Sequence, residues 1–402
     1  MVGTPFRRLV HFGSGGRSSV SGSTATVFGA SGFLARYVVS KFGRTGTQVV
    51  VPHRGEEYDV RHCKVMGDLG QITPMKLDQR SEDSIARTLA RSNIVINCIG
   101  SWVPTFHNTL SETHAEASER IAKVAKRMGV KQFVHISALS ATPNATDAWS
   151  KSKWEGEVAV RKVFPEAVIL RPGTMCGPED KFLNRLADRM RSYPVMPEWG
   201  FGEAKVQPVS VYDVAEAVNI VANKGSAYHG RVFDLAGPKV YSMADILSFI
   251  ETTCGIHTNR VPVPTSVGLM IGSLIESAPY ASLCDSLLQF IVMNSLHRSC
   301  CSLPCRYESE VALQTQDVTL DGSSNETFEA LGIKPESIER LAPEYLRRFR
   351  EGSHYKQVRP APPPPPLPAR RFLLFQLFVF ALNLELTRSV RSGGSVIQGW
   401  AY

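Results

Sequence analysis

Several features that define common classes of protein are absent from this sequence. No two of its 8 cysteines have the spacing of a zinc finger, and no stretch has the pattern of a secretory signal. We therefore interpret the cysteines as mostly reduced thiols and predict no metal site, including at Cys300, Cys301 and Cys305. The apolar stretch at residues 372–384 has only 13 residues, whereas a helix that spans a bilayer needs about 20.

Acidic residues are missing from the first 55 positions, which carry seven Lys or Arg residues. Residues 352–402 are also basic, with six Lys or Arg residues and one Glu. The whole chain has a formal net charge of +8, so residues 56–351 carry a net charge of −4. This distribution argues against a basic nucleic-acid-binding core, and we predict no nucleic-acid partner.

The two ends of the chain differ in composition from the rest. Residues 1–23 are rich in Arg, Ser and Gly, which is typical of an organellar targeting segment or of a basic arm. Five consecutive prolines at residues 362–366 favour an extended polyproline II conformation that cannot enter a core. We interpret residues 352–402 as a Pro-rich and apolar tail. Its apolar part is either a segment that contacts a membrane surface or a partner, or a divergent terminus, and we assign it no function.

A strand, a glycine-rich turn and a helix follow one another from Thr24 to Phe42. The turn has the spacing G-x-x-G-x-x-A, with Gly29, Gly32 and Ala35 at the small positions. The first glycine permits a tight turn, the second lets backbone approach a pyrophosphate, and the helix N-terminus offers N–H groups to phosphates. The residues predicted to bind a dinucleotide here are Gly29, Ser31, Gly32, Phe33 and Leu34.

The next strand, at residues 48–52, ends beside Arg54. An acid near this point binds the ribose 2′-OH in NAD-selective folds, whereas an arginine favours the 2′-phosphate of NADP. A solvated surface arginine is the alternative interpretation. Residues 71–77 are a candidate third strand, although Pro74 argues against it. Asp78 follows, in a position to hydrogen-bond the adenine edge.

Two further buried strands are predicted at residues 93–99 and 132–136, with a helix at 111–128 between them. Gly100 closes the first strand and Ser137 closes the second. Strands that alternate with helices form parallel sheets. The predicted fold class is therefore α/β, with a Rossmann-type doubly wound parallel sheet, a smaller C-terminal α-rich lobe and extended terminal arms.

The second half of the chain is predicted to contain several helices. They are a helix at 182–197 that ends in a loop with Pro194 and Pro197, a helix begun by Asp213, a helix at 243–253 capped by Ser242, two apolar helices within 266–297, and short helices within 325–350. The apolar helices suit either a membrane interface or a buried hairpin. The predicted domains are 1–23 (targeting segment or basic arm), 24–240 (NADP-binding Rossmann domain with inserted elements of the second lobe), 241–351 (C-terminal α-rich lobe with candidate membrane-interface helices) and 352–402 (Pro-rich and apolar tail).

Several motifs resemble the extended or atypical short-chain dehydrogenases/reductases. They are TVFGASGFLARYVV at 26–39, NCIG at 97–100, Ser137, and LRPGTMCGPED at 170–180. Within that family, GGRSSVSGS at 15–23, VVVPHR at 49–54, MGDLGQI at 66–72, FPEAVILRP at 164–172 and DKFLN at 180–184 resemble the branch of nucleotide-binding accessory subunits of mitochondrial NADH:ubiquinone oxidoreductase (complex I).

The resemblance carries further expectations about cofactor, partners and location. It implies NADPH (or NADP) as cofactor, and the other complex I subunits and the inner-membrane lipid surface as partners, on the matrix side of the mitochondrial inner membrane. It also implies that Asn97, Gly100, Ser137, Lys153 and Pro172 contact the dinucleotide, beside Arg54 and Asp78.

The catalytic tyrosine of this family is missing. The family's chemistry uses a Y-x-x-x-K pair on one helix, and Lys153 matches the lysine, but Trp149 stands at the tyrosine position. An indole N–H only donates hydrogen bonds, so it cannot serve as the general acid or base. No tyrosine occurs between Tyr58 and Tyr193, and His135 or Lys151 remain as substitutes.

We accordingly predict no catalytic residue and favour a non-catalytic NADPH-binding accessory subunit. The alternatives are an NADP-dependent reductase or epimerase of the extended short-chain family with an altered active site, and an NADP-sensing regulator.

Overall fold

The computed structural model describes residues 21–102, 104–105, 108–145, 147–192, 195–266, 268, 315, 317–320 and 325–350. Its strands are β1 (Thr24–Phe28), β2 (Gln48–His53), β3 (Ile72–Lys76), β4 (Ile94–Asn97), β5 (Gln132–Ile136), β6 (Val168–Pro172), β7 (Met175–Cys176), β8 (Val195–Trp199), β9 (Lys205–Val206), β10 (Val209–Ser210), β11 (Val232–Leu235), β12 (Tyr241–Ser242) and β13 (Asn259–Val263).

Seven of these strands form one parallel sheet in the order β11-β6-β5-β4-β1-β2-β3. Its central strands are apolar and buried along their length, because helices cover both faces of a parallel sheet. The strand order reverses between β1 and β4, and ligands of open α/β sheets bind in the crevice at such a point. The predicted Rossmann-type parallel sheet is confirmed.

The helices are α1 (Phe33–Arg44), α2 (Arg61–Lys64), α3 (Glu82–Leu89), α4 (Ala117–Arg127), α5 (Ala148–Val163), α6 (Leu183–Ser192), α7 (Val211–Lys224), α8 (Met243–Cys254), α9 (Phe328–Leu331) and α10 (Ile338–Leu346). A π-helical turn, Glu112–Glu116, precedes α4. Residues of α1 and α7 pack in one apolar core, and residues of α3, α4 and α5 pack in a second, so the sheet lies between two helical layers.

Three local expectations need correction or explanation. Pro74 lies inside β3, which is tolerated because β3 is the edge strand of the sheet and pairs only with β2 among the described strands. Helix α7 begins after Ser210, whose hydroxyl accepts from the Tyr212 N–H at 3.2 Å, so Asp213 does not start it. Pro197 lies in β8, which pairs with β13, and not in a loop that ends a helix.

A smaller apolar core lies in the second half of the chain. It contains buried residues of α6, α8 and α10, such as Leu183, Ile250 and Ala342. In contrast, Phe328 and Leu331 of α9 pack into the main core with α7. The smaller core therefore takes residues from both sides of position 240.

Within the described ranges, no helix combines the length and the apolar character that crossing a bilayer requires. The predictions about the first 20 residues, the apolar segment beyond residue 268, the Cys300–Cys305 cluster and the tail lie outside the described residues.

Candidate functional site

The glycine-rich turn between β1 and α1 requires glycine for two reasons. Gly29 has φ +78°, a conformation that L side chains rarely adopt, and an added Cβ would lie 2.8 Å from the Cys98 carbonyl oxygen. Gly32 donates its N–H to the Gly29 carbonyl at 2.9 Å, and a Cβ there would lie 3.0 Å from the same oxygen. The turn is therefore tight and brings β1 and the end of β4 close together.

The N-terminus of α1 is suited to bind an anion. Gly32 is its N-cap and supplies no side-chain cap, and the first turn contains no acidic residue. The first N–H groups of the helix thus have no side-chain cap of their own. Ser31 is exposed beside them, whereas Leu34 is buried and Phe33 is partly buried. This geometry fits the pyrophosphate of a dinucleotide, which supports the residues predicted for the turn.

Arg36 is a residue near the turn that sequence reasoning missed. Its guanidinium binds the Glu179 carboxylate at 2.6 Å and donates to the Ser31 carbonyl at 3.3 Å. The contact joins the glycine-rich turn to the loop after β7. The only signal in the sequence was a cation directly after Ala35.

The two residues predicted for the adenosine side lie beyond the ends of β2 and β3. Arg54 is exposed after β2. Asp78 is also exposed, and its carboxylate accepts from the Arg80 backbone N–H at 3.0 Å. The structure therefore brings Arg54 and Asp78 to the same edge of the sheet as Gly29, where parallel strands end.

Asn97, at the end of β4, belongs to a buried hydrogen-bond network. Its amide donates to Ser118 Oγ at 2.9 Å and to His135 Nδ1 at 3.2 Å, and its oxygen accepts from the Ile99 N–H at 3.2 Å. Burial, followed by the nearby Lys153 charge, lowers the pKa of His135 to about 3. His135 is therefore a neutral core residue, which argues against its substitution for the missing tyrosine.

Lys153 lies near the ends of β4 and β5. Its Nζ is 3.5 Å from the Ile136 carbonyl and would be 3.1 Å from a Cβ added to Gly100. Burial lowers the pKa of Lys153 to about 8, against the opposing influence of Cys98 and Glu157. Ser137 Oγ is buried and has no hydrogen-bond partner among the described residues. Pro172 ends β6 on the same side of the sheet.

Trp149 lies one helical turn before Lys153 on α5, and its ring centroid is 6.0 Å from Lys153 Nζ. Its ring stacks on that of Trp102, with a centroid distance of 3.9 Å and an interplanar angle of 11°. The two rings therefore lie face to face and in contact. Trp102 was not predictable from the sequence, because no local pattern links two tryptophans 47 positions apart.

His114, in the π-helical turn, connects the loop that carries Trp102 to the helix that carries Trp149 through hydrogen bonds. Its Nε2 accepts from the Ser101 N–H at 3.1 Å, so its Nδ1 carries the proton and donates to Ser152 Oγ at 2.8 Å. The Ser152 hydroxyl in turn donates to the Trp149 carbonyl at 2.7 Å. Burial, then the charge of Lys153, lowers the pKa of His114 to about 3, so the ring is uncharged near neutral pH and Nε2 remains an acceptor.

No group of three or more His, Cys, Asp or Glu residues that suits a metal ion occurs in the part of the chain that the structure describes.

Comparison with known proteins identifies the family. Residues 25–236 match the model of the NAD dependent epimerase/dehydratase family. The chain is 33% identical to the mitochondrial NADH dehydrogenase (ubiquinone) 1 alpha subcomplex subunit 9 of Arabidopsis thaliana, over 86% of this chain and 82% of that one. It is 40% identical to the protein of the same name in Mus musculus, over 69% of this chain and 74% of that one.

A solved structure supports the fold. The UDP-glucuronic acid 4-epimerase of Bacillus cereus, in complex with NAD, superposes with a TM-score of 0.53 at 18% identity, over 60% of this chain and 87% of that one. The chain therefore belongs to the NAD dependent epimerase/dehydratase family and, within it, to the family of the mitochondrial NADH dehydrogenase subunits named above.

Proposed function

We propose that this protein is a non-catalytic accessory subunit of mitochondrial respiratory complex I that binds NADPH (or NADP). Its partners are the other complex I subunits and the lipid surface of the inner membrane, on the matrix side. Two relatives at 33% and 40% identity, both named as mitochondrial NADH dehydrogenase subunits, support the assignment to the complex.

The observation that carries the non-catalytic assignment is Trp149 at the position four residues before Lys153. The reaction of the family needs a phenol there that gives up and takes back a proton, and an indole does neither in the useful pH range. Burial lowers the pKa of His114 and of His135 to about 3, so neither imidazole is matched to proton transfer near neutral pH.

The glycine-rich turn supports retention of the cofactor. Gly29 and Gly32 preserve the close backbone approach, and the N-terminus of α1 remains free of an acidic side chain. Arg54, exposed after β2, favours the 2′-phosphate of NADPH over the ribose hydroxyl of NADH.

The bound dinucleotide would then stabilise the folded state of the protein. A ligand that binds only the folded state stabilises it by about 2.7 kcal/mol when present at 100 times its Kd. In this protein the ligand would contact the glycine-rich turn, the end of β4 and α5 at the carboxyl edge of the sheet. We infer that this supports assembly of the matrix arm at its junction with the membrane arm.

Binding and turnover measurements on the purified full-length chain test this proposal. We expect NADPH to bind more tightly than NADH, and the preference to fall by about tenfold or more, that is about 1.4 kcal/mol, in Arg54→Glu. Arg87→Glu, an exposed arginine of α3, is the matched control. We also expect the chain to co-migrate with a large membrane complex. A freely soluble monomer that oxidises NADPH with carbonyl substrates would contradict the proposal.

A second candidate is an NADP-dependent reductase or epimerase of the extended short-chain family with an altered active site. The lowered pKa of Lys153, about 8, and the buried Ser137 hydroxyl without a partner among the described residues favour it, because perturbed groups cluster at catalytic sites. Turnover that disappears in Lys153→Ala would support this candidate over the first.

A further inference from the structure

The two halves of the candidate site suit different halves of a dinucleotide. The half built on β1–β3 carries the glycine-rich turn and Arg54, which suit the pyrophosphate and the adenosine ribose. The half built on β4–β6 lies across the point where the strand order reverses. Under the proposed function, on which this inference rests, the nicotinamide lies in that second half, where Gly100 meets Lys153.

Two indoles lie in the nicotinamide half. Trp149 is 6.0 Å from Lys153 Nζ, and Trp102 follows Gly100 by two residues. The 3.9 Å between their ring centroids leaves no room for a third ring between them. Trp102 keeps 46% of its surface exposed, so the pair reaches the protein surface and is not enclosed in the core.

The position of Trp102 does not depend on stacking alone. His114 accepts the N–H of Ser101, the residue before Trp102, and is itself bound through Ser152 to the carbonyl of Trp149. The ring of His114 also meets Trp149 edge-on, at 6.4 Å between centroids and 89° between planes. The loop that carries Trp102 and the helix that carries Trp149 are thus connected by a buried hydrogen-bond relay.

We propose that Trp102 and Trp149 form a fixed cover over the nicotinamide, positioned by His114, that keeps external hydride acceptors away from the bound dinucleotide. Hydride transfer needs the reacting atoms about 3–3.5 Å apart, and a rigid pair of rings at the mouth prevents that approach. The absence of the tyrosine phenol deprives the site of its proton donor, and the cover keeps hydride acceptors away from the bound dinucleotide.

The proposed cover is tested by measuring how fast a small hydride acceptor oxidises bound NADPH. The full-length protein, in excess over NADPH, is mixed with phenazine methosulfate, which accepts a hydride from NADPH to give NADP⁺ and reduced phenazine. The loss of NADPH fluorescence reports the rate. We expect bound NADPH to react about tenfold or more slowly than free NADPH, and Trp102→Ala to abolish this protection. Phe201→Ala removes an aromatic side chain after β8 that is 57% exposed, and it should preserve the protection.

Variants of His114 test its positioning role. His114→Phe keeps a ring beside Trp149 but removes both nitrogens, and we expect it to lose most of the protection. His114→Gln retains an acceptor and a donor on one side chain and should restore part of it. If Trp102→Ala does not fold, Trp102→Leu, which retains apolar volume without a flat face, serves for the same comparison.

The outcomes separate this inference from the proposed function. Thermal stabilisation by NADPH alone reports binding, and its absence in the wild type would overturn both. If NADPH binds but reacts as fast as free NADPH, or if protection survives in Trp102→Ala, the inference of a cover is wrong while the proposed function stands. Protection that survives in His114→Phe as fully as in Phe201→Ala would remove the role of His114.

Discussion

Arg171 on β6 binds Glu157 on α5 through two hydrogen bonds of 2.9 and 2.7 Å, and so joins the sheet to the helix that carries Trp149 and Lys153. The Glu157 side chain is 1% exposed and that of Arg171 is 14% exposed, with Asp234 Oδ1 3.9 Å from the guanidinium on the other side. A single arginine thus neutralises part of the charge of two buried carboxylates.

We predict that Arg171→Met destabilises the protein by about 3–5 kcal/mol, because it leaves buried carboxylates without their cation. Glu157→Leu should cost less, since Arg171 then keeps Asp234 beside it. Urea unfolding measures both effects. Arg127→Met, which removes an exposed pair with Glu82, is the matched control and should change the free energy of unfolding by less than about 1 kcal/mol. Equal effects of Arg171→Met and Arg127→Met would contradict the prediction.

Gly29→Ala tests the close approach of the turn to the end of β4. The added Cβ would meet the Cys98 carbonyl at 2.8 Å, in addition to the strain of φ +78°. Gly70→Ala is the control, because Gly70 has φ +79° with nothing within 4 Å of the added carbon. We expect Gly70→Ala to cost about 1–2 kcal/mol in denaturant unfolding and Gly29→Ala to cost more. Similar costs would show that the contact with Cys98 is unimportant.

Gly32→Asp separates dinucleotide binding from stability. Aspartate is a good N-cap, so helix α1 should retain its stability without ligand, but the carboxylate occupies the place of a phosphate. Gly32→Ser adds the same Cβ, 3.0 Å from the Gly29 oxygen, without the charge. We expect NADPH binding and assembly of the host complex to fall much further in Gly32→Asp than in Gly32→Ser. Normal assembly of a variant that has lost the dinucleotide would count against the stabilising role of the ligand.

The two buried histidines predict a dependence of stability on pH. The pKa values of His114 and His135 are lowered to about 3 in the folded protein, from about 6.5 in the unfolded chain. The unfolded state therefore binds more protons between these values, and stability falls as pH decreases below about 6.5. We expect a loss of about 2 kcal/mol for each histidine between pH 7.5 and 5.

Urea unfolding at both pH values measures this loss in the wild type. His135→Asn, which cannot titrate, should reduce the loss by about half. A variant that is less stable at pH 7.5 but loses as much on acidification as the wild type would exclude His135 as a source of the effect.

The glycine-rich turn and the Trp149–Lys153 pair were predictable from the sequence because each depends on residues a few positions apart. A tight turn needs glycine wherever it occurs, and positions four apart on a helix share a face. The alternation of strands and helices predicted the parallel sheet in the same way. The predicted start of α7 was wrong, because several residue types cap a helix. The loop predicted at Pro197 was also wrong, because a strand as short as β8 has little periodicity in its sequence.

The sequence by itself thus determined the glycine-rich turn, the class of the fold and the tryptophan at the position of the family's tyrosine, since backbone geometry and helical periodicity are local properties. The tertiary structure alone decided that Trp102 stacks on Trp149, that His114 joins Ser101 to Ser152, and that Arg171 pairs with Glu157. It also placed β3 at the edge, where Pro74 is tolerated. Contacts between side chains far apart in the chain depend on how helices pack on the sheet, and no short-range pattern encodes that packing.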